Sequence, residues 1–199
     1  GSHSSFANNK IWINERPIYF NFLILMMKFN LPLADAWRVN NHKEKEHYIK
    51  LYGINPNRIK VNNTLVDVKT FTNTFTEKEL KELKLEITKD LKTKLIIWVG
   101  RPVKFKRINL AIRTFSEVIK KNPNTKLILI GNFVNSSIFK EAIDNINPEL
   151  KRNLYIMSNG CNHYDLSKFY KISDIFLHTS SYEGFGVVLS EAALSGLPI

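Results

Sequence analysis

The chain has 199 residues, 44% of them hydrophobic and 24% charged, a balance that allows one substantial buried core and excludes a disordered polypeptide. Its net charge of +11, from 29 Lys and Arg against 18 Asp and Glu, admits nucleic acid, an anionic membrane surface or phosphorylated substrates and does not choose among them. The single cysteine, Cys161, excludes an internal disulfide and fits a reducing compartment.

Residues 1–5, Gly-Ser-His-Ser-Ser, look like an expression scar and are set aside. Pro17 to Phe29 is apolar nearly all round, with proline placed for a first helical turn. Its apolar run of about ten residues is too short to cross a bilayer, which takes about 20. A core helix packed against a part of the protein outside this chain is the expectation, and peripheral membrane contact the alternative. Leu33–Asn40 reads as a strand, Lys43–Tyr52 as a helix ended by Gly53, and Ile59–Asn63 as the next strand. A loop is expected from Val66 to Thr76. Glu77–Ile87 follows as an amphipathic helix through Leu80, Leu83 and Ile87.

From Lys94 onward the pattern changes. Short apolar runs at Leu95–Val99, Leu127–Ile130, Leu154–Met157 and Ile175–His178 alternate with helix-period segments at Ile108–Lys121, Ile138–Lys151 and Leu166–Ile172. Continuous apolar strands separated by helices predict a parallel sheet covered on both faces. In such a sheet ligands bind beyond the carboxyl ends of the strands. Gly100-Arg101, Gly131-Asn132, Asn159-Gly160 and the loop before Val187 each follow one of those ends, so topology alone gathers them on one edge.

Two of these segments carry chemistry. Between Gly100 and Arg107 stand Arg101, Lys104, Lys106 and Arg107 with no acid, ahead of a helix start whose dipole favours anions, a composition suited to a diphosphate. The segment Glu183-Gly184-Phe185-Gly186-Val187 hands a strand over to a helix, and its glycines allow the backbone close to a ligand. Glu183 and Glu191 bracket it. Acids beside a phosphate site are best matched to hydroxyls, so the expected ligand carries both phosphate and hydroxyl groups, as a nucleotide sugar does.

Glu183, seven residues and then Glu191, with Gly-Phe-Gly between and Ala-Ala-Leu-Ser-Gly-Leu-Pro after, resembles the nucleotide-sugar signature of GT-B glycosyltransferases, notably retaining family 4. Ile96-Ile97-Trp98-Val99-Gly100-Arg101 with Lys106, and Asn122-Pro123 with Leu127-Ile128-Leu129-Ile130-Gly131, resemble further segments of that family. The resemblance runs over roughly residues 34–199. It implies an α/β, Rossmann-like parallel sheet with helices on both faces, the GT-B C-terminal domain, preceded by the tail of the N-terminal domain. The expected division is residues 6–62 for the tail of the acceptor domain and 63–199 for a truncated donor domain. A GT-B enzyme needs two such halves, which implies a fragment, and Leu197-Pro198-Ile199 reads as the opening of another strand.

The resemblance assigns Arg101 and Lys106 to the diphosphate, Glu183 to the transferred sugar and Glu191 to ribose hydroxyls. Gly100, Gly184, Phe185, Gly186 and Val187 are expected to supply contacts to phosphate and sugar. Arg101, Lys106 and Glu183 are the expected catalytic groups. The implied reaction is retaining transfer from a nucleotide-diphosphate sugar to a hydroxyl of a glycan or lipid-linked glycan, in the cytoplasm or at the inner membrane face. Three departures stand out: Thr64 and Arg107 where glycine is usual, and Asn132-Phe133 in place of small residues, with Phe133 placed to crowd or stack on a nucleobase.

No cofactor and no metal are expected. His42 and His47 are off a common helix face, no Asp-x-Asp of the GT-A kind is present, and a Gly-x-x-x-x-Gly-Lys-Ser/Thr loop is missing, which disfavours an NTPase. The rivals are a nucleotide-sugar epimerase or a phosphorylase on the same fold, and a non-enzymatic nucleic-acid module. The last is suggested by charge alone and lacks a reading helix or an aromatic-interleaved basic strand, so no nucleic-acid partner is expected.

Overall fold

In the computed structural model, which describes residues 17–62, 65–144, 146–181, 183 and 185–199, the chain divides into units spanning residues 1–65 and 66–199. The tag residues 1–5 and the Asn63-Thr64 departure lie outside the described residues. In the first unit, α1 (Pro17–Asn30) leaves Ile18, Tyr19, Phe22, Leu25 and Phe29 exposed and buries Phe20. Two short strands, β1 (Trp37–Val39) and β2 (Ile59–Val61), pair in parallel around α2 (His42–Tyr52). Gly53 closes α2 at φ 65°, a left-handed cap that suits glycine. The strand expected over Leu33–Asn40 is shorter than its apolar pattern, because Pro32 starts a 3-10 turn at Leu31–Leu33.

The second unit begins where a loop is expected, yet α3 (Val68–Thr72) forms there. Asp67 caps it, accepting from the Thr70 N–H and hydroxyl, and Phe71 drives it by burying completely. Its β-branched residues hid it from a propensity reading. A full capping box between Thr76 and Glu79 opens α4 (Glu77–Thr88). There follow β3 (Lys94–Val99), α5 (Ile108–Lys121), β4 (Thr125–Ile130), α6 (Ser137–Asp144), α7 (Pro148–Arg152), β5 (Leu154–Met157), α8 (His163–Ile172), β6 (Ile175–Phe176) and α9 (Val187–Leu194).

The expected parallel sheet forms in the order β5-β4-β3-β6. Alternation along the strands divides its side chains between two cores. Leu95, Ile97, Ile128 and Ile130 point to the face packed by Phe71, Leu166, Phe169, Tyr170 and Ala192. Trp98, Leu127 and Leu129 point to the other, against Ile108, Ala111, Ile112, Phe115 and Leu150. Helices therefore cover both faces.

Two boundaries differ from expectation. The single helix over Ile138–Lys151 is broken into α6 and α7, since Pro148 lacks an N–H and its ring opposes the carbonyl four residues back; Asn147 caps the new start by accepting from the Leu150 N–H. The strand over Ile175–His178 stops at Phe176, although the Leu177 N–H still donates to the Ile97 carbonyl. Beyond it the chain leaves the sheet toward the basic loop. No strand forms at Leu197–Ile199, where the Pro198 carbonyl accepts from the Phe176 N–H.

Candidate functional site

The tips of β3, β4 and β5 are laced together by backbone. The Gly100 N–H donates to the Ile130 carbonyl, Gly131 N–H to Met157, and Gly160 N–H to Gly131, each within 3.2 Å. A Cβ on Gly131 would lie 2.1 Å from the Gly100 carbonyl oxygen, so this close approach admits glycine alone. Phe133 is not at a ligand surface: it is buried and stacked on Phe139 at 4.2 Å, which corrects the expectation that it meets a nucleobase.

From the end of β3, the basic loop is stitched to the segment that follows β6. Thr179 is the hub. Its hydroxyl donates to the Lys106 carbonyl (2.8 Å) and accepts from the Trp98 indole N–H (3.0 Å), while its carbonyl accepts from Arg107 Nε (2.6 Å). One step on, the Ser181 N–H donates to the Phe105 carbonyl at 2.8 Å. Nothing in the sequence marked Thr179, because a lone threonine at a strand end has many uses.

This stitching sets Lys106 against Glu183. Lys106 Nζ lies 2.5 Å from Glu183 Oε1, with the two side chains 11% and 20% exposed, and His178 Nε2 is 3.8 Å from the same oxygen. Burial pulls His178 below the ordinary imidazole value; Glu183 opposes this, and Lys106 and Arg107 add to it. A part-buried ammonium paired to one carboxylate, beside an imidazole whose charged form burial disfavours, is a charge that an incoming anion can recruit.

Other predicted residues are placed differently. Arg101 is exposed at the start of the loop. Arg107 takes the left-handed conformation, φ 49° and ψ 51°, which explains why glycine is the usual residue at that position and shows that its side chain braces the loop through Thr179. Lys104 and Arg107 line a cavity of about 530 Å3 with Arg113, Ile138 and Glu141. Gly100 lies against the Trp98 ring and close to the Lys106 stem. Gly186, at φ 75°, starts α9, with half-buried Val187 next and Phe185 exposed before it; Gly184 lies outside the described residues.

Glu191 is 3% exposed in the core and accepts a hydrogen bond from the Tyr170 hydroxyl at 3.2 Å. Burial raises its pKa, while Tyr170 and the nearby His163 lower it in part. Cys161 is also near, its thiol pushed up to about 11 by burial and by the Asp165 and Glu191 charges. Tyr170 falls within the expected Leu166–Ile172 helix, a pattern that carries no sign of its hydroxyl's partner.

Residues 76–199 match the family described as glycosyl transferases group 1. The chain belongs to that family. Among relatives of this glycosyl transferases group 1 chain is the uncharacterized glycosyltransferase MJ1059 of Methanocaldococcus jannaschii, 26% identical over 95% of this chain and 46% of that protein. Another is D-inositol 3-phosphate glycosyltransferase of Corynebacterium aurimucosum, 28% identical over 83% of this chain and 40% of that protein. The chain thus spans less than half the length of these relatives. Solved structures with the same fold include Anabaena Alr3699/HepE in complex with UDP and glucose, at TM-score 0.68 and 20% identity over 83% of this chain and 43% of that one. A glycosyltransferase from Rickettsia africae matches at TM-score 0.72 and 16% identity, over 89% of this chain and 46% of that one. The fold is that of GT-B glycosyltransferases.

Proposed function

We propose that this chain holds the donor site of a retaining glycosyltransferase that moves a sugar from a nucleotide-diphosphate sugar to a hydroxyl of a glycan or lipid-linked glycan. The observation that carries this reading is the part-buried Lys106–Glu183 pair at the carboxyl edge of the sheet, where one cation and one carboxylate stand within reach of a single ligand. In this reading Lys106 and Arg101 bind the diphosphate and stabilise the charge that develops on it as the glycosidic bond breaks. Side-chain cations do that work, so the proposal requires neither a metal nor a cofactor. Glu183 accepts hydrogen bonds from hydroxyls of the transferred sugar. Glu191 gives one carboxylate oxygen to Tyr170 and the other to the ribose. Backbone at Gly100 and from Gly184 through Val187 meets phosphate and sugar.

Support comes from the family match over residues 76–199 and from the UDP and UDP-glucose held by Anabaena Alr3699/HepE. No helix among the described residues is long and apolar enough to cross a membrane. The exposed apolar side chains of α1 and the charge of +11 support contact with the inner face of a membrane from the cytoplasm.

Calorimetric titration with a panel of nucleoside diphosphates and their sugars, beside DNA and RNA at several salt concentrations, tests the proposal. Saturable nucleotide binding that Arg101→Ala weakens by about 1.5–3 kcal/mol, while the parent nucleoside is affected less, is the expected result. Salt-dependent nucleic-acid binding with no nucleotide binding would overturn it.

A further inference from the structure

We infer that Glu183 and the donor's diphosphate compete for Lys106, and that this competition makes the site prefer a nucleotide sugar over the bare nucleoside diphosphate. The inference rests on the donor-site reading above and adds a specificity role for Glu183. In this structure the Lys106 ammonium and Glu183 carboxylate satisfy each other at 2.5 Å, with little of either side chain reaching water. Breaking such a pair is costly unless each partner finds a substitute, because an unpaired charge in a desolvated place retains its full solvation penalty.

The two ligands differ in what they offer. Either one gives Lys106 a phosphate oxygen. Only the nucleotide sugar also brings hydroxyl donors to the carboxylate that Lys106 has left. With the bare diphosphate, Glu183 faces an anion, and His178, 3.8 Å from its Oε1, is too far for a hydrogen bond. The nucleoside diphosphate therefore binds against a penalty that the intact donor does not meet. The same asymmetry acts after transfer: once the sugar has gone, Glu183 loses its hydroxyl partners, recaptures Lys106 and favours release of the product diphosphate. Thr179 and Ser181 keep the two loops joined through the exchange, since their bonds run to backbone carbonyls of Phe105 and Lys106.

The test is calorimetric titration of wild type and Glu183→Gln with two pairs, UDP with UDP-glucose and GDP with GDP-mannose. Glutamine keeps the shape and can still accept from Lys106, but its neutral amide holds the ammonium less strongly. For the pair that wild type binds, Glu183→Gln should tighten the nucleoside diphosphate about tenfold and leave the nucleotide sugar unchanged or weaker, so that the preference collapses. Equal shifts for both ligands, or an unchanged nucleoside diphosphate, would overturn the competition while leaving the donor site standing. If wild type binds neither pair, the same titration is run with the pair that the panel identifies, and failure to bind any member of the panel would overturn the donor-site reading and this inference with it. If Glu183→Gln does not fold, Glu183→Asp, which withdraws the carboxylate by one methylene, should shift the preference the same way by a smaller factor, and no shift overturns the competition.

Discussion

Arg107 shows how one backbone angle and one side-chain bond oppose each other. Its left-handed φ of 49° costs a non-glycine residue about 1–2 kcal/mol, and its charge-assisted bond to the Thr179 carbonyl returns a similar amount. Arg107→Gly should therefore leave stability within about 1 kcal/mol of wild type by urea unfolding, whereas Arg107→Ala, losing the bond without relief of the backbone, should cost about 1.5–3 kcal/mol. Equal losses would show that φ is not strained. Glu191 sets burial against charge in the same way. Its pKa is raised from 4.5, so the stability linked to its protonation is present below that value and lost as pH rises through the folded one. Glu191→Gln keeps an acceptor for Tyr170 and should match or exceed wild type by up to about 1 kcal/mol at pH 7, with the gain fading in acid. Glu191→Ala leaves a buried hydroxyl unpaired and should be less stable than Glu191→Gln. If Glu191 also holds ribose, the alanine variant should lose affinity for a nucleotide and much less for its 2′,3′-dideoxy analogue. Equal weakening of both would confine Glu191 to the core.

At the scale of elements, Asp174 fastens the two-residue β6 to the sheet. One carboxylate oxygen accepts from the Leu95 N–H and the other from Lys94 Nζ, both at 2.8 Å, with Lys84 at 3.8 Å. Burial raises its pKa, but the bonds from Lys94 and the Leu95 N–H, with the Lys84 charge, outweigh it and leave the carboxyl below 3.8. The linked stability is thus present above that value and lost as pH falls through the folded one. Asp174→Ala should cost about 1–2 kcal/mol at pH 7, after allowance for solvent screening of the lysines, and the difference from wild type should shrink below about pH 4. A difference independent of pH would locate the effect in packing. Elements with strong periodicity were readable without coordinates: α5 and the apolar runs of β3, β4 and β5 stand where the pattern puts them. The failures share a cause. α3 is held by a cap and one buried phenylalanine, the α6–α7 break by a proline inside an otherwise helical stripe, and the early end of β6 by side-chain bonds to a loop about 70 residues away in sequence, none of which a period of 2 or 3.6 encodes.

For the whole chain, the sheet edge explains how much of the site could be read in advance. Strand order and the glycine-rich turns place the 100–107 and 178–191 segments at one end of a parallel sheet, and that much follows from pattern. The pairing of Lys106 with Glu183 also joins two residues that the sequence singled out. Their mutual neutralisation, the hub at Thr179 and the bond between buried Glu191 and Tyr170 depend on side-chain geometry between distant segments, where composition and spacing are silent. If the two segments form one donor site, hydrogen exchange with and without UDP-glucose will report it, because protection marks the backbone a ligand covers. Slowed exchange in residues 100–107 and 183–191, with less slowing in Arg101→Ala at the same ligand concentration, is the expected result. Protection confined to other segments, with these two unchanged under saturating ligand, would contradict it.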